Sequence, residues 1–293
     1  RALALALGQT PLDHFLQARG AAKDGSSGGR QMPGHWGNPS LNIPTSSSPT
    51  GTQFLQAVGA AEAGTKIPNI EGLREQVLQF EEDEVIIVCT GEGATSEGEF
   101  WESLNTACNL NLPVVYVVQD NGYAISVPVE VQTAGGSISN LVSGFPGLHI
   151  VRCDGTDLVD SYRATGEAVM HTRKQRRPSL IHATCTRPYS HSMSDDERAY
   201  RSTNERAAQE DRDPLRKARA LVLAFGAATD EQLKEIEIEI TADVSSSADQ
   251  ALASPAPDPQ TALRHLFSED VDPTSPDFDT EEAPDYQSEK PVT

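Results

Sequence analysis

The sequence has few basic residues for its length. Its 293 residues include 23 Lys and Arg against 43 Asp and Glu, which gives a formal net charge of −20 at pH 7. A protein that binds nucleic acid needs a broad cationic face to neutralise phosphates, so this balance argues against such a partner. We expect most of these charges to lie on solvated surface, and the acidity is also compatible with adaptation to high salt.

Cysteines and long apolar runs are scarce as well. Cys89, Cys108, Cys153 and Cys185 form no Cys-x-x-Cys pair, so the sequence does not predict a zinc site. Three of them lie in or beside predicted strands and Cys108 on a predicted helix, so we expect buried free thiols in a reducing compartment. No apolar run approaches the roughly 18 residues of a transmembrane helix, and no signal peptide is recognisable. These features predict a soluble cytoplasmic protein that binds no membrane.

The first part of the chain, to about Gly51, has little periodicity. After a helix-like stretch from Ala2 to Leu7 it is rich in Gly, Ser and Pro, which predicts either a long ordered loop or disorder. A helix is predicted from near Thr50 through Ala61. Ordered loops of this length in a domain are usually functional, so we expect the end of this segment to contribute to a site.

Strands and helices alternate in the middle of the chain. Residues 85–90 form a continuous apolar run, which predicts a strand buried on both faces. A helix is predicted over 97–111, because Phe100, Leu104, Ala107 and Cys108 share one helical face. The remaining predicted elements are strands at 114–118, 148–153 and 180–185 and a helix at 158–174. This repetition predicts an α/β fold, a parallel sheet covered by helices, followed by C-terminal helices and an acidic linker.

The pattern changes after the last predicted strand. Leu215, Ala218, Val222 and Phe225 make one helical stripe, and Thr229 with Gln232 predicts a capping box that opens another helix. Residues 269–289 hold nine acidic and no basic residues, a composition that cannot bury a core. We therefore expect an α/β domain at 1–213, a helical extension at 214–267 and an acidic linker or tail at 268–293.

A glycine-rich turn follows the first predicted strand. Ligands of parallel sheets bind at the carboxyl ends of strands, and helix N-termini favour anions, so Gly91-Glu92-Gly93 predicts a phosphate-bearing cofactor. Ser96 stands where a dinucleotide fingerprint would have its third glycine, which leaves a dinucleotide-binding dehydrogenase as a distant alternative. Glu92 would repel a bare diphosphate, so its presence predicts a divalent cation between the two.

The next predicted strand supplies further oxygen ligands at its end. Asn121 offers an amide oxygen, and Gly122 lets the backbone bend so that a carbonyl can turn inward. One carboxylate, one amide oxygen, one carbonyl, phosphate oxygens and a water make the octahedral set that Mg²⁺ prefers. The two strand ends together predict a magnesium–phosphate site.

These motifs occur in the order of a known family. The stretch GEGATSEGEFWESLNTACNLNLPVVYVVQDNGYAIS resembles the thiamine-diphosphate signature of the α subunits of 2-oxo acid dehydrogenases. NGYAIS and the glutamate at position 92 favour the branched-chain (2-oxoisovalerate) type, and SSPTGTQFLQAVGAA and SHSMSDDERAYRS extend the resemblance. It covers roughly residues 1–265 and implies a thiamine-diphosphate-binding fold, with thiamine diphosphate, Mg²⁺ and K⁺ as cofactors.

The resemblance also implies a role for each matched residue. Glu92, Asn121 and the Tyr123 carbonyl would bind Mg²⁺, and the Gly93 and Ala94 backbone would contact the diphosphate. His191 would reach the diphosphate and act as the catalytic residue, within a loop that includes Arg187, Asp195, Tyr200 and Arg201. The remaining expected positions are Ser48, Thr50 and Gln119 for the cofactor and Ser47, Pro49, Thr52 and Gln53 for a monovalent cation.

Two positions depart from the family pattern. Gln119 stands where the branched-chain type often has a phosphate-binding arginine, and Asp120 replaces the first of two asparagines. Both changes predict weaker cofactor binding, although neither removes a metal ligand.

The expected activity is oxidative decarboxylation of a branched-chain 2-oxo acid, with acyl transfer to a lipoyl group on a partner acyltransferase. A β subunit or fused β domain would supply the rest of the centre, as in a heterotetramer, and we expect the chain to be the truncated α half of a fused α–β enzyme. Pyruvate- or acetoin-type dehydrogenases, and a non-catalytic assembly half, remain alternatives.

Overall fold

Four parallel strands form the centre of the fold. The computed structural model describes residues 2–77, 80–266, 270–272 and 274–275. The strands are β1 (Ile86–Gly91), β2 (Val114–Asp120), β5 (His149–Asp154) and β6 (Ser179–Thr184), in the sheet order β1-β2-β6-β5. All neighbouring pairs are parallel, so their carboxyl ends meet at one edge. The expected α/β class with a parallel sheet is confirmed.

A short hairpin follows β2 directly. It consists of β3 (Tyr123–Ala124) and β4 (Val127–Pro128), paired antiparallel. Ile125 in its turn has a φ of 58°, a left-handed conformation that is costly for a β-branched residue. The hairpin therefore reverses the chain at the carboxyl edge of the sheet, next to the end of β1.

Helices cover both faces of β2. On one face α3 (Thr52–Lys66) and α4 (Gly98–Leu110) bury Phe54, Phe100 and Tyr116 together. On the other face α7 (Leu158–Gln175) buries Ala164 and Ala168 among residues of β2, β5 and β6. Successive residues of a strand point to opposite faces, so a strand covered twice is apolar at nearly every position, as β2 is.

The expectation that the first strand is buried on both faces is wrong. Val88 is buried, but Ile87 is 46% exposed and Cys89 is also exposed. The reason is that α3 packs on one face of β1, whereas α7 packs on β2, β5 and β6. Cys89 therefore corrects the expectation of buried thiols, which holds for Cys153 but only partly for Cys108 and Cys185.

Further helices follow β4 and β6 along the chain. They are α5 (Val129–Gln132), α6 (Ile138–Leu141), α8 (Thr203–Asp211), α9 (Pro214–Ala224) and α10 (Asp230–Ala253). The predicted capping box is present, since the Thr229 amide donates to Gln232 Oε1 at 2.8 Å and the Gln232 amide to Thr229 Oγ1 at 3.3 Å. The predicted stripe lies on α9, but Leu215 at its start and Phe225 just beyond its end are exposed.

The first part of the chain forms an ordered loop that is preceded by two short helices. These are α1 (Ala2–Ala6) and α2 (Pro11–Arg19), of which α2 opens on a Thr10–Asp13 capping box. Gln17 Nε2 donates to the Met32 carbonyl at 2.7 Å, and the Asp24 carboxylate accepts from Ser26 and Ser27. Polar side chains thus satisfy the backbone of this glycine- and serine-rich stretch.

Chain contacts divide the protein into two units. One comprises the described residues up to Thr45 together with those from Thr241, and the other is Ser46–Ile240. The expected boundaries at 213 and 267 stay predictions, and the acidic segment 268–293 lies outside the described residues except at 270–272 and 274–275. None of the helices in the described part of the chain is both long enough and apolar enough to span a membrane.

Candidate metal and cofactor site

The ends of β1 and β2 bring two polar side chains together. Glu92 follows β1 and Asn121 follows β2, and the parallel register pairs Gly91 with Gln119 just before them. Asn121 donates to Glu92 Oε2 twice, from its backbone nitrogen at 3.3 Å and from Nδ2 at 3.2 Å. The two strand ends thus bring the Glu92 and Asn121 side chains into contact, while their role as a metal site stays a prediction.

Each of these side chains also carries a buried oxygen with an unused lone pair. Glu92 is 1% exposed, and neither its Oε1 nor Asn121 Oδ1 has a hydrogen-bond partner among the described residues. Burial raises the pKa of Glu92 above its ordinary range, more than the amide hydrogen bonds to its carboxylate lower it. Buried acceptors without donors are costly, and a cation removes that cost.

The hairpin after β2 contains Tyr123, whose carbonyl is the third expected ligand. The Val129 amide donates to the Gly122 carbonyl at 2.9 Å, which makes these two residues a hydrogen-bonded pair of the ladder. Hydrogen-bonded and non-hydrogen-bonded pairs alternate in an antiparallel ladder, so Tyr123 turns its backbone outward from the hairpin. The Tyr123 backbone is among the groups that lower the pKa of Glu92, although burial raises it more. That the Tyr123 carbonyl binds Mg²⁺ stays a prediction.

This donor set fits Mg²⁺. Among the described residues, no group of three or more His, Cys, Asp or Glu could hold a metal ion. This part of the chain therefore contains no metal site built mainly from thiolates or carboxylates. One carboxylate, one amide oxygen and one carbonyl instead leave the other positions to phosphate and water, as Mg²⁺ sites commonly do.

The turn after β1 packs so tightly that it requires glycine. Residues Glu92–Ser96 form a 3-10 helix that leads into α4. A Cβ on Gly93 would lie 2.8 Å from the Ala124 Cβ, closer than side chains can approach, so only glycine fits against the hairpin. The backbone of the turn and that of the hairpin therefore form one surface, and Ala94 follows directly on it.

Gln132, at the end of α5, is a residue of this site that sequence reasoning missed. Its Nε2 lies within 3.0 Å of the Glu92 and Gly93 carbonyls and 2.7 Å from Ser96 Oγ. These bonds fix the glycine turn from outside. A polar residue that lies 39 positions beyond Gly93 carries no local signal of this contact, although its place just after the hairpin is a clue.

Both carboxylate oxygens of Asp120 have hydrogen-bond partners outside the proposed ligand set. Its Oδ1 accepts from the Gly122 amide at 2.9 Å, and its Oδ2 accepts from His182 Nε2 at 2.8 Å. Burial raises the pKa of Asp120, but these hydrogen bonds outweigh it and the pKa lies below the ordinary value. The Asp120 carboxylate is therefore the negative charge expected beside the site. It adds to the rise in the pKa of Glu92, which is mainly caused by burial, and it is itself hydrogen-bonded. Gln119 is exposed at the end of β2.

The predicted monovalent-cation loop precedes α3. Its residues Ser47, Ser48, Pro49 and Thr50 are exposed, and Thr52 Oγ1 donates to the Pro49 carbonyl at 3.0 Å. Gly51 has a φ of 97°, and a Cβ there would lie 3.1 Å from Glu97 Cβ. The end of this loop, with Gln53 in the first turn of α3, therefore lies against the segment that follows the glycine turn.

The loop that contains His191 is tied to the hairpin by arginines. Arg187 Nη1 donates to the Ile125 carbonyl at 2.8 Å, and the buried Arg201 guanidinium lies 4.6 Å from the centre of the Tyr123 ring. His191 is exposed, and its backbone amide donates to the Asp195 carboxylate at 2.7 Å. The loop is thus anchored at the site through its neighbours, while the role of the His191 side chain stays a prediction.

Comparison with known proteins agrees with this geometry. The family described as "Dehydrogenase E1 component" matches residues 1–260. The chain belongs to the dehydrogenase E1 component family. It is 35% identical over 264 residues to the 2-oxoisovalerate dehydrogenase subunit alpha of Bacillus subtilis (strain 168), covering 90% of this chain and 76% of that one. The resemblance to branched-chain α subunits expected from the motifs is confirmed.

Animal relatives are longer than this E1-family chain. The mitochondrial 2-oxoisovalerate dehydrogenase subunit alpha of Homo sapiens is 34% identical over 261 residues, covering 88% of this chain and 55% of the relative. That of Caenorhabditis elegans is 35% identical over 230 residues, covering 78% and 50%. The chain thus spans about half the length of these relatives. Membership of the E1 dehydrogenase family implies thiamine diphosphate as a cofactor.

Proposed function

We propose that this chain is the α component of a 2-oxo acid dehydrogenase and that Mg²⁺ and thiamine diphosphate bind at the ends of β1 and β2. The observation that carries the proposal is the pair of buried oxygens, Glu92 Oε1 and Asn121 Oδ1, that lack hydrogen-bond donors at adjoining strand ends. Mg²⁺ is the cation that such a mixed oxygen set suits best. The family membership supports thiamine diphosphate as the partner of that ion.

In this proposal, the residues that match the family motifs bind or orient the cofactor and the metal ions. Glu92, Asn121 and the Tyr123 carbonyl hold Mg²⁺, and the Gly93 and Ala94 amides meet the diphosphate. Ser48, Thr50 and Gln119 line the cofactor site, while Ser47, Pro49, Thr52 and Gln53 hold a monovalent cation such as K⁺. The exposed His191 reaches the diphosphate from its anchored loop and shapes the reactive pocket.

The reaction itself depends on the cofactor and on a partner. When bound, thiamine diphosphate supplies the nucleophilic carbon and the electron sink that decarboxylation of a 2-oxo acid requires. The chain fixes the diphosphate end and helps exclude water. A β subunit or fused β domain completes the centre, and a lipoyl-bearing acyltransferase accepts the acyl group. Cytoplasmic location and the fused α–β arrangement stay predictions.

A branched-chain substrate is favoured by the relatives, whose names refer to 2-oxoisovalerate. Pyruvate- or acetoin-type substrates remain the alternative within the family. A non-catalytic assembly half is the alternative outside enzyme function. The buried, unsatisfied ligand oxygens argue against it, because an assembly surface has no need of them.

Cofactor titration tests the proposal directly. Trp101 lies in α4, the helix that follows the glycine turn, so its fluorescence should be quenched when thiamine diphosphate is added with Mg²⁺ but not with EDTA. Asn121→Ala should weaken Mg²⁺-dependent quenching at least about ten-fold, which is about 1.4 kcal/mol. Asn105→Ala, at an exposed position within α4, is the matched control.

Turnover separates the alternatives. With a β partner and a lipoyl acceptor, the chain should decarboxylate 2-oxoisovalerate faster than pyruvate, and the isolated chain should show no turnover. Preference for pyruvate or acetoin would move the assignment within the family. Absence of cofactor binding, even with the β partner present, would contradict the proposed site and favour the assembly role.

A further inference from the structure

A row of hydrogen-bonded side chains crosses the sheet toward the metal-ligand turn. Arg152 Nε in β5 donates to Ser139 Oγ in α6 at 2.8 Å, and Ser139 Oγ lies 2.7 Å from His182 Nδ1 in β6. His182 Nε2 then bonds Asp120 Oδ2 at 2.8 Å. Ser139 is fully buried and His182 is 8% exposed. The middle of the row is therefore buried, while Arg152 at its outer end is exposed.

The chemistry of the two ends fixes one proton in this row. A guanidinium only donates hydrogen bonds, and an ionised carboxylate only accepts them. His182 Nε2 must consequently carry a hydrogen to bond Asp120. Ser139 can accept from Arg152 and still present its own hydrogen or a lone pair to Nδ1. A histidine protonated only at Nδ1 does not fit, so the row orients the imidazole with its N–H toward Asp120.

Asp120 passes this orientation to the ligand turn. Its Oδ2 is held by His182, and its Oδ1 accepts from the amide of Gly122, which has a φ of 83°. One carboxylate thus bridges from the sheet to the residue just after Asn121. Asn121 lies between the two anchored residues and aims its side chain at Glu92. Small rotations of this turn would move Asn121 Oδ1 away from a cation.

We infer that His182 and Ser139 are positioning residues, which hold the Asn121 turn in its metal-binding conformation through Asp120. The inference rests on the proposed function, since it assigns these residues to the Mg²⁺ site proposed there. Groups that orient metal ligands from outside commonly influence affinity by about 10–100-fold. Neither residue is a proposed metal ligand. Replacing them should therefore weaken Mg²⁺ binding without removing a ligand atom.

Three variants of the full chain test the row. His182→Leu should raise the dissociation constant for Mg²⁺, measured at saturating thiamine diphosphate, about ten-fold. Ser139→Ala should raise it less, about three-fold, because only the support of the imidazole is lost. Because Ser139 acts through His182, the double variant should match His182→Leu alone. His149→Leu is the matched control, since His149 is also a strand histidine paired with a carboxylate, that of Glu167 at 3.1 Å.

Two further measurements distinguish positioning from general stability. Nitrogen-15 chemical shifts of labelled histidines should show His182 protonated at Nε2, with a changed Nδ1 environment in Ser139→Ala. Unfolding in EDTA gives the stability of each variant without metal. If the residues act by positioning, Ser139→Ala should lower the Mg²⁺ affinity more than His149→Leu does. The two variants are compared after any difference in their stability in EDTA has been measured.

The outcomes separate this inference from the proposed function. If wild type shows no Mg²⁺-dependent cofactor binding, the proposed function falls and the inference falls with it. If wild type binds but Ser139→Ala keeps wild-type affinity, only the inference is overturned. Additive effects in the double variant, or a His182 that lacks the Nε2 proton, would overturn it too. Should His182→Leu fail to fold, Ser139→Ala and the histidine spectrum still decide.

Discussion

Replacing Asn121 by aspartate would convert its hydrogen bond with Glu92 into a repulsion. Asn121 Nδ2 now donates to Glu92 Oε2 at 3.2 Å, and both side chains hold a further oxygen that lacks a donor. In Asn121→Asp a second carboxylate oxygen takes the place of the amide nitrogen. We expect the chain to become less stable without metal and to recover stability when Mg²⁺ lies between the two carboxylates.

The spacing of the two groups sets the size of this effect. Two unit charges at 3.2 Å repel by about 5 kcal/mol at an effective dielectric constant of about 20. Proton uptake limits the loss, because protonating a carboxyl of pKa about 4 at pH 7 costs about 4 kcal/mol. We therefore expect Asn121→Asp to be about 2–4 kcal/mol less stable than wild type in EDTA.

Chemical unfolding in EDTA and in saturating Mg²⁺ with thiamine diphosphate measures both effects. The stability gained from metal should be larger in Asn121→Asp than in wild type, since one more ligand charge faces the cation. Asn105→Asp adds the same charge at an exposed position within α4 and should cost less than about 1 kcal/mol in either condition. Equal stability of Asn121→Asp and wild type in EDTA would refute the close pairing, and equal gains from Mg²⁺ would refute the bridging ion.

Three further changes test other parts of the structure. Phe100→Ala should destabilise the chain by about 3–5 kcal/mol in urea unfolding, because its fully buried ring packs edge-on against Phe54 with centroids 5.3 Å apart. Gln132→Glu should weaken Mg²⁺-dependent cofactor binding at least about ten-fold in the fluorescence titration, because a carboxylate would face the carbonyls of the glycine turn. Asp154→Asn should lower the melting temperature at pH 7, and the difference from wild type should shrink as the pH falls below about 4.

The sign of the last effect follows from the partners of Asp154. The Thr156 hydroxyl and the Lys217 ammonium lower the pKa of Asp154, so its stabilising contribution is present above the ordinary carboxyl pKa and lost as the pH falls further. A difference that grows toward low pH would contradict this. Leu110→Ala, on the exposed side of α4, is the control for Phe100→Ala and should change stability by no more than about 0.5 kcal/mol.

Buried apolar runs made most of the sheet predictable. β2 was expected from a run covered on both faces, and α7 begins at Leu158, where the sequence places it. The run that became β1 has equally apolar residues, yet Ile87 is exposed. The difference is non-local, because sequence periodicity does not say which face a distant helix will cover.

The start of α2 can be recognised from its capping residues, although the sequence around it has little periodicity. Thr10, Pro11 and Asp13 form a capping box with proline in the first turn, which is a recognisable start. The helix has only a narrow apolar face, and glycine and serine follow it closely. These capping residues indicate the helix, which the expectation of loop or disorder over this stretch missed.

The proposed ligand residues could be selected from the sequence, but their surroundings could not. The predicted strand ends and the residue types that follow them indicate Glu92 and Asn121 from the sequence alone. The direction of the Asp120 carboxylate depends on His182, 62 residues later in the chain, and on a register that only the folded sheet defines. The unsatisfied oxygens likewise appear only once burial is known.

The position of β1 at the edge of the sheet, together with its exposed face, has a practical consequence for handling this protein. In the described part of the chain, β1 is an outer strand that pairs with β2 alone, and Ile86–Val88 present neither charge nor proline along it. Outer strands of this composition are templates for cross-chain pairing and aggregation. Preparations of the chain by itself should therefore lose soluble material with time, and a single lysine in place of Ile87 should slow that loss without disturbing the covered face.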